Sequence, residues 1–391
     1  MTRHVKTLRL PAAGGLESYV VRNDPLTRTD HSPPHFNRIA YAAAHIVADP
    51  LADIDPWEAQ AIDWPKTIAF RQYLWDLGFG VAEAMDTAQR GMGLDWAGAQ
   101  ELIRRALDAA KGHEGAQIAS GAGTDHLIPG PDVTIDDVTR AYEEQVGFVE
   151  GLGGQVILMA SRALAKAARS PDDYARVYDR ILAQVKAPVI IHWLGEMFDP
   201  ALAGYWGNAD HLRAMETAME VINSHAAKVD GVKISLLDKN KEIAMRRRLA
   251  PSVKMYTGDD FNYPELIAGD AQGHSHALLG IFDAIAPAAS MALGELTAGN
   301  RLGYDALLAP TVPLSRHIFK APTRYYKTGV VFLAFLNGFQ DHFHMLGGQQ
   351  SARSVAHLAE LFRLADAARV LRDPDLAVSR MKQVLALAGI D

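Results

Sequence analysis

The sequence predicts an α/β protein whose parallel strands close into a (β/α)8 TIM barrel, with an N-terminal arm and a C-terminal helical extension. Three observations carry this: short apolar runs recur along the chain, amphipathic helical patterns lie between them, and no GxGxxG fingerprint is present. The runs are Arg38–Val47, Gly78–Ala84, Ala116–Ser120, Gln155–Met159, Ala187–Trp193, Gly231–Leu236, Ser252–Thr257 and His274–Phe282. Most of the early spacings are about 35–40 residues and the last two are shorter, which suits strand–loop–helix–loop units. Runs that are apolar almost throughout belong to a parallel sheet covered on its outer face.

Between the runs, Trp96–Lys111 places Ala97, Leu102, Ile103, Ala106 and Leu107 on one stripe, and Thr134–Glu150 follows the same rule. Asp172–Gln184 opens with Ser170-Pro171-Asp172, the composition of a cap and a first turn. Residues 1–35 are a polar arm containing Pro33-Pro34, residues 36–312 the barrel, and residues 313–391 the extension, expected to dock on the barrel. The extension reads as helices over Val330–His342, Ser351–Arg369 and Pro374–Ala388, broken at Gly347-Gly348 and Asp373-Pro374.

Of the 391 residues, 49% are hydrophobic and 22% charged, ample for a large core. Thirty-nine Lys and Arg against 46 Asp and Glu give a formal charge of −7, and there is no basic tract, so no nucleic-acid or anionic-membrane partner is expected. The absence of cysteine excludes disulfides, thiolate metal sites and cysteine nucleophiles. Met1–Leu10 has no apolar core of a secretion signal, and the longest apolar run, Thr328–Leu336, is far short of a membrane span. The expectation is a soluble, cytoplasmic protein.

Catalytic groups of α/β barrels sit at the carboxyl ends of strands and on the loops that follow. The sharpest candidate is Lys233 in Val229-Asp230-Gly231-Val232-Lys233-Ile234-Ser235. Strand alternation puts it on the face opposite Val232 and Ile234, where it is either an ion-paired structural group or a nucleophile. A free lysine of pKa about 10.4 is neutral only about once in 2,500 molecules at pH 7, and desolvation in a barrel is a way to free the amine. His45, Glu83, Asp86, Asp125, His126, Asp259 and Asp260 also fall at strand ends. Glu83, inside Val81-Ala82-Glu83-Ala84, needs a partner or a raised pKa, while Asp260 reads more simply as a helix cap. His274-Ser275-His276 puts two imidazoles on one face of a strand, and with His45, His126 and Asp259 could make a metal centre. The pair lies near the start of its strand, however, away from the catalytic rim.

Gly231-Val232-Lys233-Ile234-Ser235 resembles the Schiff-base lysine strand of the dihydrodipicolinate synthase / N-acetylneuraminate lyase family. Tyr256-Thr257-Gly258-Asp259-Asp260 is similar to the Gly-Asp-Asp turn after that family's next strand. Ala271-Gln272-Gly273-His274-Ser275-His276, followed by Pro287, is similar to its last strand, and Ala187-Pro188-Val189-Ile190-Ile191-His192-Trp193 to its Pro-Val-x-x-Tyr-Asn strand. The order and spacing of the four motifs carry the resemblance, which runs from about Arg38 through the helical tail and marks a longer, divergent branch.

The resemblance implies a lysine-imine lyase or aldolase that needs no metal or organic cofactor, acts on a small keto acid or sugar-derived keto compound, and assembles as a homodimer or homotetramer. By the same matching, Lys233 is the imine lysine and His192 stands where the family has its proton-relaying tyrosine. The loop Met85-Asp86-Thr87-Ala88-Gln89-Arg90-Gly91 stands where the family has Gly-Thr-Thr-Gly-Glu, which holds the substrate carboxylate. Only Thr87 survives there, with Asp86 beside it and Arg90 offering a bidentate grip. Ser235 and Asp259 are candidates for contacts to the polar end of the substrate. Two other readings stay open: a metal-dependent barrel hydrolase or isomerase, and a non-catalytic relative of the lyases.

Overall fold

The computed structural model describes residues 6–27, 34–86 and 88–390. It divides into two compact units, one made of Arg38–Ala44 and Phe79–Gly280, the other of Met1–Asn37, His45–Gly78 and Ile281–Asp391.

In the second of these units, β1 (Thr7–Ala12) and β2 (Gly15–Val20) form an antiparallel hairpin pairing Thr7 with Val20 and Ala12 with Gly15. The hairpin buries Leu8 and Leu10. It is fastened by the buried Asp366, whose carboxylate accepts from Tyr19 Oη at 2.7 Å and from the backbone N–H of Arg22 and Asn23. Asp366 lies on the helix Val355–Ala367; the other long helices of the extension are Tyr326–Leu336 and Pro374–Leu387. The helix Tyr326–Leu336 starts about a turn before the expected Val330 and ends short of the expected His342.

The other unit contains a closed parallel barrel of β3 (Ala40–Ala42), β4 (Gly80–Glu83), β5 (Ile118–Ala122), β6 (Gln155–Leu158), β7 (Val189–Leu194), β8 (Val229–Ser235), β9 (Lys254–Thr257) and β10 (His276–Leu279), with β10 returning to pair β3. The (β/α)8 barrel is thus present, and each apolar run contributes one strand. Several strands are shorter than their runs. At β4 the backbone turns at Ala84, which takes a left-handed φ of 48°, while Ile281, inside the last apolar run, already starts a helix. Apolar content alone cannot separate a strand from the buried helix that continues it.

The intervening helices are set by their caps and stripes. Trp96–Lys111 starts where Asp95 accepts from Gly98 N–H at 2.7 Å, and buries Ala99, Leu102, Ile103 and Ala106. Ile135–Gly151 opens with a capping box in which Thr134 and Asp137 satisfy each other's backbone N–H groups. At Pro171–Gln184 the residue Ser170 occupies the cap position without a side-chain bond; Asp173 instead accepts from Arg169 N–H. The barrel interior is filled by Tyr41, Ala82, Ala119, Ile157, Ile190, Tyr256 and Leu278. Each large aliphatic there contributes about 1.5–3 kcal/mol through burial.

Candidate active site

The interior face is fixed by register. Because Ile190 faces inward, period-2 alternation turns His192 inward too. His192 pairs in register with Lys233, and Lys233 with Tyr256. Three inward residues of β7, β8 and β9 therefore lie side by side, with Lys233 in the middle and buried (7% exposed).

Two hydrogen bonds define the surroundings of the lysine. His192 Nε2 and Ser235 Oγ are 3.1 Å apart, and both residues are buried. His192 Nδ1 is buried with no hydrogen-bond partner among the described residues. Burial, followed by the positive charge of Lys233, holds the His192 imidazole well below its ordinary range, so it is neutral at pH 7. Tyr256 instead donates its hydroxyl to Asp230 at 2.7 Å, and burial together with that carboxylate raises its pKa far above the usual tyrosine value. A phenol held in this way stays protonated near neutrality, while the neutral imidazole of His192 keeps a ring nitrogen able to accept a proton.

Gly258 follows β9 and packs against the site. A Cβ there would lie 2.8 Å from Lys233 Cε and 2.7 Å from the carbonyl of Ile234, and would collide with Ser235 Oγ. Gly258 N–H donates to Ile234 O at 2.9 Å. Only glycine lets the two strand ends approach so closely.

Asp259 is buried and organises its own loop. Its Oδ1 accepts from Phe261 and Asn262 N–H, and its Oδ2 from Asn262 Nδ2 at 2.8 Å. Burial raises its carboxyl above the usual range despite these bonds. The helix that follows, Tyr263–Ala268, has Asn262 rather than Asp260 at its cap position.

Glu242, which the sequence reading did not single out, lies on the helix Lys239–Arg246. It accepts from Thr257 Oγ1 at 2.9 Å and Ser275 Oγ at 2.7 Å, and burial pushes its carboxyl up to about 8. Thr257 Oγ1 in turn accepts from Asp259 N–H, so this carboxyl fixes the turn that carries Gly258. A glutamate in a helix with Lys and Arg neighbours gives no sequence signal of such burial.

At the rim after β4, Asp86 is buried and accepts from Ala88 N–H at 2.9 Å. Thr87 lies outside the described residues. Arg90 differs from the expectation of a substrate grip, because its guanidinium is fully engaged inside the protein. Nε and Nη2 bind Asp125, Nη2 also binds Gln145 Oε1 at 2.7 Å, and Nη1 binds the carbonyls of Ala84 and Gly121. Burial alone would raise the Asp125 carboxyl, but the Arg90 charge and hydrogen bonds outweigh it and hold it below the usual range. Gln145, another residue without a sequence signal, also accepts from Gly123 N–H and binds His126.

Other strand-end candidates have hydrogen-bond partners within the protein. Glu83 is buried, with Oε1 accepting from Ala84 N–H. His276 Nδ1 accepts from Ile39 N–H at 3.0 Å. His45, in the second unit, pairs through Nδ1 with Asp283 at 2.8 Å. Among the described residues no group of three His, Asp or Glu side chains is arranged to hold a metal ion.

A family model described as "Protein of unknown function (DUF993)" matches residues 8–390. The chain belongs to that family. No curated protein matches it. Among solved structures, this family's fold is shared with dihydrodipicolinate synthase from Aquifex aeolicus at TM-score 0.65 and 11% identity, covering 85% of this chain and 99% of that one. A prophage protein of the dihydrodipicolinic acid synthase family from E. coli K12, solved with pyruvate, aligns at TM-score 0.66 and 12% identity over 85% and 99% of the two chains. The Thermotoga maritima dihydrodipicolinate synthase gives TM-score 0.64 and 14% identity over 86% and 100%. At these identities the likeness is one of fold.

Proposed function

We propose that this DUF993 protein is a lysine-imine lyase or aldolase acting on a 2-oxo acid or related keto compound. The observation that carries the proposal is the buried Lys233 on the inner barrel face, in register with His192. In the proposed reaction the Lys233 amine attacks the ketone carbon and forms a C–N bond. The carbonyl oxygen leaves as water after taking up protons, and the protonated imine then accepts the electron pair released when the adjacent carbon–carbon bond breaks, or supplies the enamine that forms one.

Neutral His192 accepts and returns the protons these steps require, with Ser235 holding its Nε2. Asp86 orients the substrate at the rim, and Asp259 shapes the loop beside it. No cofactor enters the scheme. We further propose a cytoplasmic homodimer or homotetramer, on the resemblance to the lyases; no helix among the described residues is long and apolar enough to cross a membrane.

Borohydride reduction in the presence of pyruvate and a panel of keto acids and keto sugars tests the reading. An adduct of the ketone mass less water plus two hydrogens, mapped to Lys233 and absent from Lys233→Ala, is the expected result. No adduct across the panel would overturn it and leave a binding protein.

A further inference from the structure

A small cavity of about 50 Å³ opens at the carboxyl ends of the barrel strands, lined by residues of the loops after β4, β5, β6 and β7. Two arginines line it, and they differ in how their hydrogen bonds are used. Arg90 spends all five N–H donors on Asp125, Gln145 and two carbonyls, as described above.

Arg162 spends one. Its Nε donates to Asp199 Oδ2 at 2.5 Å, while Asp199 Oδ1 accepts from Ala201 N–H. Among the described residues nothing hydrogen-bonds its Nη1 or Nη2, and the side chain is 31% exposed. The fork is nevertheless held in place. Asp199 fixes it from one side, and Nη1 lies so close over Gly91 that a Cβ there would collide with it. Gly91 belongs to the same rim loop as Asp86 and Arg90.

A guanidinium anchored through Nε presents its two Nη groups as a ready pair of parallel donors, the geometry that a carboxylate matches with its two oxygens. The remaining wall is short and largely apolar, with Leu127, Pro129 and Met159. Met159 also belongs to the interior cluster with Ile190 and Tyr256, the strands that carry His192 and flank Lys233. Strands two apart lie about 10 Å apart, so β6 and β8 are separated by the length of a small substrate. Two arginines and two aspartates leave the cavity without net charge, which suits a singly charged carboxylate better than a phosphate dianion.

We infer that Arg162 is the specificity-determining residue of this site and receives the carboxylate of the keto substrate. The inference rests on the lysine-imine reading for the word "keto", but the carboxylate contact itself can be read without the imine. Pyruvate and 2-oxoglutarate binding is measured by calorimetry on full-length Lys233→Ala and Lys233→Ala/Arg162→Gln, with hydroxyacetone trapping on the wild type and Arg162→Gln.

Loss of the paired charge-assisted bonds should weaken carboxylate binding about 10- to 100-fold in the double variant, while hydroxyacetone trapping at Lys233 stays within about twofold. Arg162→Lys, which keeps the charge without the fork, should fall between, and it decides the matter if Arg162→Gln does not fold. Carboxylate affinity indifferent to both substitutions would overturn the inference, as would inorganic phosphate displacing neutral ketones where pyruvate does not. Arg162-dependent carboxylate binding without any adduct on the wild type would sink the imine reading and leave this one standing.

Discussion

At the scale of single residues, the site depends on a close approach that has no tolerance for a methyl group. Gly258→Ala forces Cβ against Ser235 Oγ, Lys233 Cε and the Ile234 carbonyl. The variant is expected to lose about 1–3 kcal/mol in denaturant unfolding and most of its adduct yield at Lys233. Full adduct yield would show that the β8 and β9 ends are not locked together.

Glu242 gives a second residue-level prediction, of opposite character. Its carboxyl titrates at about 8 in the folded protein against 4.5 in the free residue, so across that window the folded state holds a proton that the unfolded chain has released. The contribution is present in full below about pH 4.5 and is lost as pH rises through 8. Glu242→Gln stays neutral, so its stability relative to wild type should improve by a few kcal/mol between pH 5 and 8.5. Parallel unfolding profiles would refute the raised value.

Lys233 was legible as a site candidate from strand alternation, which set it on the face opposite Val232 and Ile234, whereas His192 was legible only through the likeness of its strand to the lyase family's tyrosine strand. Glu242, Gln145 and Arg162 were not. Each lies on a helix or loop whose local pattern looks solvated, and only the tertiary packing shows what they touch.

At the scale of elements, the rim is organised by Arg90, which ties the ends of β4 and β5 to the helix Ile135–Gly151 through Ala84 O, Gly121 O, Asp125 and Gln145. The sequence placed an arginine after the strand but could not say whether its guanidinium faced the substrate or the protein. Arg90→Met leaves Asp125 without its cation and two carbonyls without donors. A loss of about 3–5 kcal/mol in unfolding free energy is expected, which would be far too large if Arg90 were a solvated ligand grip; a change under about 1 kcal/mol would restore that earlier reading. Strand positions were readable as apolar runs, whereas their ends were not, since β3 and β10 stop inside runs that stay apolar beyond them.

At the scale of the whole molecule, eight runs in order were enough to fix the barrel, because a closed parallel sheet needs little more than that count and right-handed helical connections. The division into units was not visible, as no linker composition marks it. Closure rests on a short seam, β10 against β3, in which Ala277 N–H donates to Ile39 O at 2.9 Å. Ala277→Pro removes that donor inside the barrel wall and orphans the carbonyl of the partly buried Ile39, at about 1–3 kcal/mol before any clash is counted. Circular dichroism and thermal unfolding of the purified variant should show a destabilised or unfolded protein, and a wild-type melting curve would mean that the seam is dispensable.

That seam also sets a clock on biosynthesis. Ala40 leaves the ribosome early, and its partner Ala277 is added more than half a chain later. At about 5–20 residues per second, the first strand waits on the order of ten seconds to a minute for the last. Throughout that interval an apolar strand has one unpaired edge, so the nascent chain, rather than the folded protein, is the form most in need of protection from aggregation.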